Sequence, residues 1–157
     1  MVSTEPPGFE LPLRLLLGFR VLIDGLHAEL ARQGHPDVRP VHGFVLQAVG
    51  PDGTTAVELG RRLGITKQAA AKHVEALERL GYLQRTADPA DARRKVLRLT
   101  ARGADSLARS ARIFDALRAE WADTLGVERL RALEADLRAM TGSTPFRLDV
   151  PGWFGGG

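Results

Sequence analysis

Two short amphipathic stretches closed by Gly64 and Gly81 constrain this chain more than any other feature. Thr55 stands three residues before Glu58, the spacing of a capping box, in which a hydroxyl and a carboxylate satisfy free amides at a helix start. That predicts a short helix carrying Val57, Leu59 and Leu63 and stopping at Gly64, because glycine adopts the left-handed conformation that closes a helix. Ile65 and Thr66 bridge to a second helix over Lys67 to Leu80, with Ala70, Val74 and Leu77 on its buried face and Gly81 as its terminator. Two helices joined by a glycine-containing turn make a helix-turn-helix. Tyr82 to Thr86 and Lys95 to Leu99 then read as two strands around the turn-rich Asp88-Pro89-Ala90-Asp91, a candidate wing.

Longer helices flank this unit. From Leu13 to Ala31, the residues Leu15, Phe19, Leu22, Leu26 and Leu30 recur at helical spacing, within a stripe too wide for one seam. Gly34 and Pro36 interrupt it, and a short helix runs from Pro40 to Val49. Thr100 can cap a helix to about Leu125, with Leu107, Ala111, Phe114, Trp121 and Leu125 at near-heptad spacing. Val127 to Met140 repeats the pattern with Leu130, Leu133, Leu137 and Met140. Such seams need cover, from a second copy or from one another. The expected fold is mainly α with a small β-hairpin, a winged helix-turn-helix over about 40–100 between dimerisation helices over about 11–32 and 101–140. Residues 1–10 read as a disordered lead-in, 11–140 as a single domain, and 141–157 as a tail without assigned function.

Composition narrows the function. The absence of cysteine removes disulfides, thiol redox sensing and thiolate metal sites, and it suits the cytoplasm, the expected location. The most apolar stretch, Leu11 to Leu30, carries Arg14, Arg20, Asp24 and Glu29, so neither a membrane span nor a signal peptide is expected. Net charge is only +3, yet Arg61 to Arg98 holds ten Lys or Arg against four Asp or Glu. A local cationic patch on an otherwise acidic chain is the footprint of a polyanionic partner. Enzyme signatures are missing: Gly64-Ile65-Thr66-Lys67 lacks the order of a phosphate loop, and the four histidines, at 27, 35, 42 and 73, show no ligand-type clustering with carboxylates. No enzymatic activity and no cofactor are expected.

The run Leu59-Gly-Arg-Arg-Leu-Gly-Ile-Thr, the helix Lys67–Leu80, Gly81-Tyr82-Leu83-Gln84-Arg85, and Asp91-x-Arg93 followed by Leu99-Thr100 and Gly103 together resemble the MarR family of bacterial transcriptional regulators. The likeness is strong from Leu59 to Gly103 and architectural over the rest of Leu13 to Met140. It implies a homodimer with one winged helix-turn-helix per subunit, each reading half of an inverted repeat in double-stranded DNA, usually as a repressor.

The residues themselves suggest how. The second helix of such a motif presents its N-terminal residues to base edges in the major groove. Gln68 can pair with adenine, Lys72 can reach guanine or a phosphate, Ala71 can meet a thymine methyl, and Thr66 and Lys67 stand where a helix N-terminus favours a phosphate. His73 sits beside the apolar face and reads as packed. Arg61 and Arg62 read as phosphate clamps or as solvated surface. In the wing, Asp91 can brace Arg93, and Arg93 or Arg94 can enter a narrow minor groove, while Arg85 and Lys95 would hold phosphates. The family resemblance adds a small-molecule effector bound between the dimer helices and the DNA-binding lobe, where His42, Phe44, Phe114 and Trp121 could line a pocket. The rival readings are a non-specific architectural DNA-binding protein and a winged-helix protein-interaction module.

Overall fold

The computed structural model describes residues 4–148; residues 1–3 of the expected lead-in and 149–157 of the expected tail lie outside the described residues. In chain order the elements are α1 (Glu10–Arg32), α2 (Pro40–Val49), α3 (Ala56–Leu63), α4 (Lys67–Arg79), β1 (Leu83–Ala87), β2 (Lys95–Leu99), α5 (Ala101–Leu125) and α6 (Val127–Thr141). This is the mainly α, winged helix-turn-helix fold read from the sequence. α1 starts at Glu10, inside the stretch expected as lead-in and ahead of Leu13. Pro12 does not prevent this, because the first turn of a helix has no internal acceptor for its N–H.

The helix-turn-helix forms as its punctuation predicts. The Thr55 hydroxyl accepts the Glu58 amide at 3.2 Å, and Gly64 closes α3 in the left-handed region at φ 65°. At the end of α4, Gly81 is left-handed and donates its N–H to Glu78, while the Tyr82 N–H donates to Leu77 at 2.8 Å. This paired closure takes up the Tyr82 amide. β1 therefore starts at Leu83, one residue later than the sequence suggested. It pairs antiparallel with β2, Leu83 opposite Leu99 and Ala87 opposite Lys95. Thr54 forms an isolated bridge to Leu97, exchanging hydrogen bonds of 3.0 and 2.7 Å. The wing is thereby tied to the residue that precedes the Thr55 cap of α3.

One core serves the helix-turn-helix and the long helices. Val45, Leu46 and Val49 of α2 meet Leu59 and Leu63 of α3, Val74 and Leu77 of α4, Leu97 of β2, Leu26 and Leu30 of α1 and Ile113 of α5. Each such side chain contributes about 1.5 to 3 kcal/mol when fully buried. The expected α5 seam is corrected here. Its buried contact is Ile113 rather than Ala111 or Phe114, which are exposed, because α5 lies against α1 on the face holding Ile113 and Leu117. Leu107, Trp121 and Leu125 are half-buried. On α6 only Leu130 is buried, and Met140 is 82% exposed.

The first residues of the expected tail pack down. Leu148 is buried and donates its N–H to the Leu63 carbonyl at 2.8 Å, and the Phe146 ring lies 5.3 Å from Phe44. One aromatic pair and one hydrogen bond leave no periodic trace in a sequence.

α5 approaches the helix-turn-helix closely at Gly103. A Cβ there would stand 2.2 Å from the Tyr82 carbonyl oxygen, which already accepts the Thr100 N–H. Gly103→Ala should lower stability by about 3 kcal/mol or prevent folding, since overpacked sites rarely relax. Gly43→Ala, where a Cβ meets nothing within 4 Å in the middle of α2, should be neutral or stabilise by about 0.5 to 1 kcal/mol. Urea unfolding of both variants checks the contrast.

Candidate nucleic-acid interface

α4 is seated by three side chains and presents the rest. Ala70, Val74 and Leu77 are buried, which leaves Lys67, Gln68, Lys72, Glu75 and Arg79 exposed and Ala71 half-buried. Gln68 and Lys72 are four residues apart, so they share one face. Thr66 caps the helix, its hydroxyl oxygen accepting the Ala69 N–H at 3.1 Å. The first amides of the helix, at Lys67 and Gln68, have no acceptor within it, and they form its positive end.

The wing tip is shaped by its two aspartates. Asp88 accepts the Ala90 N–H at 2.9 Å, and the Asp91 carboxylate accepts the Arg93 N–H at 3.0 Å. Asp91 thus braces the backbone of Arg93 and leaves its guanidinium alone. The Asp88 N–H donates to the Arg94 carbonyl and the Arg94 N–H to the Asp91 carbonyl, closing the loop. Among the described residues, the side chains of Arg93, Arg94 and Lys95 have no partner, and all three residues are exposed. A groove of about 530 Å³ joins Arg94 and Lys95 to Lys67 and to Thr55, Ala56, Val57 and Glu58 at the start of α3, three cations against one carboxylate. Wing base and both helix starts therefore share one cationic concavity.

Three arginines expected to face phosphates are engaged elsewhere. Arg85 is ion-paired with Glu78 of α4 at 2.7 Å, the consequence of β1 leaving directly from the end of that helix. Arg61 and Arg62 both pair with Glu58, at 2.6 and 3.1 Å, and Arg62 also donates to the Ala48 carbonyl. The Arg61 hydrogen bond, working against partial desolvation and helped by Arg62, holds the Glu58 carboxyl at about 2. Glu58 consequently stays charged over all ordinary pH. Its carboxylate is taken by these arginines, so the expected box is made on the Thr55 side. His73 is half-buried, and burial holds its ring below the usual histidine range.

The model of the MarR family matches residues 37–94, the span from the loop before α2 to the wing tip. Over those residues the chain is similar to the MarR family. Among solved structures of similar shape are the FabT protein of Streptococcus pneumoniae in complex with DNA (TM-score 0.73, 19% identity, covering 87% of this chain and 96% of that one). Another is RV1404 of Mycobacterium tuberculosis (TM-score 0.71, 20% identity, 92% of this chain and 99% of that one). The transcriptional regulator Tm0710 of Thermotoga maritima aligns at TM-score 0.57 with 26% identity, over 85% of this chain and 92% of that one. The LexA repressor of Deinococcus radiodurans is 37% identical over 82 residues, which are 50% of this chain and 37% of that protein. The match thus spans little more than a third of that relative's length.

The structure also has an apolar cavity of about 330 Å³ between α1, α2 and α5, lined by Leu22, Leu26, His27, Phe44, Leu107 and Phe114 among others. Phe44 and Phe114 stand where a pocket was expected. His42 and Trp121 do not line it, which corrects those two placements. His42 is buried at the start of α2, its Nδ1 accepting the Arg39 N–H at 3.1 Å, and Trp121 packs at Gly18 of α1. The sequence reading passed over His27, which was considered only as a metal ligand. Its Nδ1 is buried with no hydrogen-bond partner, and desolvation holds the ring below its usual range.

Because Thr66 alone caps α4, Thr66→Ala should destabilise the protein by about 1 kcal/mol. Hydrogen exchange should localise the effect, with the Ala69 amide losing protection while the Glu58 amide at the α3 cap keeps it.

Proposed function

We propose that this protein is a DNA-binding transcription regulator that grips an inverted repeat as a homodimer, with α4 in the major groove and the wing in the minor groove. The observation that carries the proposal is the wing. Its backbone is held by Asp88 and Asp91 while Arg93, Arg94 and Lys95 remain unpaired beside Lys67 and the capped start of α4. A narrow minor groove concentrates negative potential and attracts such arginines. Gln68 and Lys72 supply the base contacts, and Lys67 and Lys95 hold phosphates. That FabT was solved in complex with DNA, and that the Deinococcus relative is named a repressor, support the same reading.

Exposed apolar surface supports the dimer. Leu11, Leu13, Leu15, Leu17 and Val21 on α1 and Leu137 and Met140 on α6 are exposed, more than one small domain leaves in water. A two-fold pairing of these helices would set the recognition helices about one DNA turn apart, about 34 to 36 Å. In the repressor reading an effector enters the cavity between α1, α2 and α5. His27 Nδ1 there would accept a hydrogen bond from the donor group of an otherwise apolar, aromatic-sized molecule. The protein works in the cytoplasm and catalyses no reaction. Among the described residues no helix is long and apolar enough to cross a membrane.

Gel-shift titration on the DNA upstream of its own gene is the direct test. Binding should survive excess random duplex; loss to that competitor would mark an architectural binder, and no binding a protein-interaction module. Lys72→Ala should weaken specific binding by about 1 to 3 kcal/mol, and Arg94→Ala should in addition flatten the salt dependence. Sedimentation at micromolar concentration should show a dimer, and Leu15→Glu with Leu137→Glu should yield monomers that have lost operator affinity.

A further inference from the structure

The joint between the helix-turn-helix and the long helices is a chain of hydrogen bonds centred on two buried residues, His35 and Tyr82, whose carboxylate partners Asp37 and Asp105 are part-exposed. His35, in the loop between α1 and α2, is 3% exposed. Its Nδ1 lies 2.9 Å from the Tyr82 hydroxyl, and its Nε2 lies 2.8 Å from Oδ2 of Asp105 on α5. The Tyr82 hydroxyl lies 2.6 Å from Oδ1 of Asp37. Each carboxylate also has an arginine of α5: Arg102 is 3.2 Å from Asp37, and Arg109 is 2.8 Å from Asp105. Arg102 in addition covers the Tyr82 ring at 4.6 Å. Arg109 donates to Gln33, which donates in turn to Glu29 of α1, a residue paired with Arg32.

Three contacts need three hydrogens. Tyr82 has one to give, and a neutral imidazole has one. The carboxylates have none. Hydrogen bonds from His35 and Arg109 hold Asp105 below the usual carboxylate range. Burial works against ionisation of Asp37, but the Tyr82 and Arg102 hydrogen bonds outweigh it and hold this group low as well. If Tyr82 donates to Asp37, Nδ1 must donate to the phenol oxygen, and Nε2 then turns a bare lone pair on Asp105. If Tyr82 donates to Nδ1 instead, two oxygens face one another without a hydrogen between them. Only an imidazolium, with both ring nitrogens protonated, satisfies all three contacts.

We propose that His35 is an imidazolium whenever this joint is closed, and that the joint is a proton-operated latch between the winged helix-turn-helix and the long helices. Loss of the proton leaves one contact without a hydrogen, and either the His35–Asp37 loop or α5 must give way. Tyr82 directly follows the closure of α4 and precedes β1, so the reader moves with it. The effect on operator binding rests on the DNA-binding reading above; the charge of the ring does not.

The test uses the full-length protein with ¹⁵N-labelled histidine, taken from about pH 6 to about pH 9, across the range in which histidines change charge. At the acidic end both His35 ring nitrogens should show the N–H signature of a charged ring. As that signature disappears, amide protection at His35 and Tyr82, corrected for the intrinsic pH dependence of exchange, should fall about tenfold or more, as expected for a lost charge-assisted bond. Operator affinity should fall with it. In His35→Gln, which keeps one donor and one acceptor but cannot charge, protection should not vary over this interval. A singly protonated His35 ring at about pH 6 with Tyr82 still protected would overturn the proposal, as would the wild-type pH response persisting in His35→Gln. A ring that charges and discharges as described in a protein that binds no operator would uphold the latch and overturn the DNA-binding reading.

Discussion

The reader depends on the contact between the Tyr82 backbone and the first turn of α5. The Tyr82 carbonyl accepts the Thr100 N–H, and the Thr100 hydroxyl donates to the Gly81 carbonyl at 2.5 Å while its oxygen accepts the Gly103 N–H at 3.1 Å. Within these few residues α4 ends, β1 begins, β2 ends and α5 begins. Only glycine at 103 leaves room for the approach. The recognition helix, the wing and the long helix are therefore fixed to one another by backbone, which explains why Leu99-Thr100 and Gly103 stand together.

Outward from that junction the interface separates into rigid and loose parts. The wing turn is held by side-chain acceptors on its own amides, so its arginines are presented on a fixed base. Their side chains remain free to find phosphates or a groove. Arg61, Arg62 and Arg85 are equally exposed cations by type, yet Arg61 and Arg62 share the Glu58 carboxylate of α3 and Arg85 is paired with Glu78 of α4. Surface pairs of this kind add little to stability. Their consequence here is to hold three guanidiniums on the protein's own acids, while Arg93, Arg94 and Lys95 of the wing keep no partner among the described residues.

The long helices carry a division of labour as well. α5 spends one face on α1, through Ile113 and Leu117, and turns Phe114 to the cavity it shares with Phe44 of α2. The apolar residues on α1 and α6 that lie outside both contacts are those left exposed. Cavity and helix-turn-helix are linked through the C-terminal segment: Phe44 packs on Phe146, and the Leu148 N–H donates to the Leu63 carbonyl at the end of α3.

The local signals were legible in the sequence because each rests on neighbours in the chain. Thr55 and Thr66 as caps, Gly64 and Gly81 as stops, the alternation through Leu97 and Leu99, and the aspartates of the wing all act within about five residues. The faces of α3 and α4 followed from helical period alone. What the tertiary structure decided was every choice between equivalent partners. Nothing local says that Arg85 meets Glu78, that the α5 seam turns on Ile113 rather than Phe114, or that His42 caps a helix while His27 lines the cavity. Nor does it show that His35, Tyr82, Asp37 and Asp105 converge, since their separations along the chain, 47 and 70 residues for the two His35 contacts, exceed any local period. The chain by itself determined where its elements start and stop; only packing decided which charges are cancelled and which remain to act.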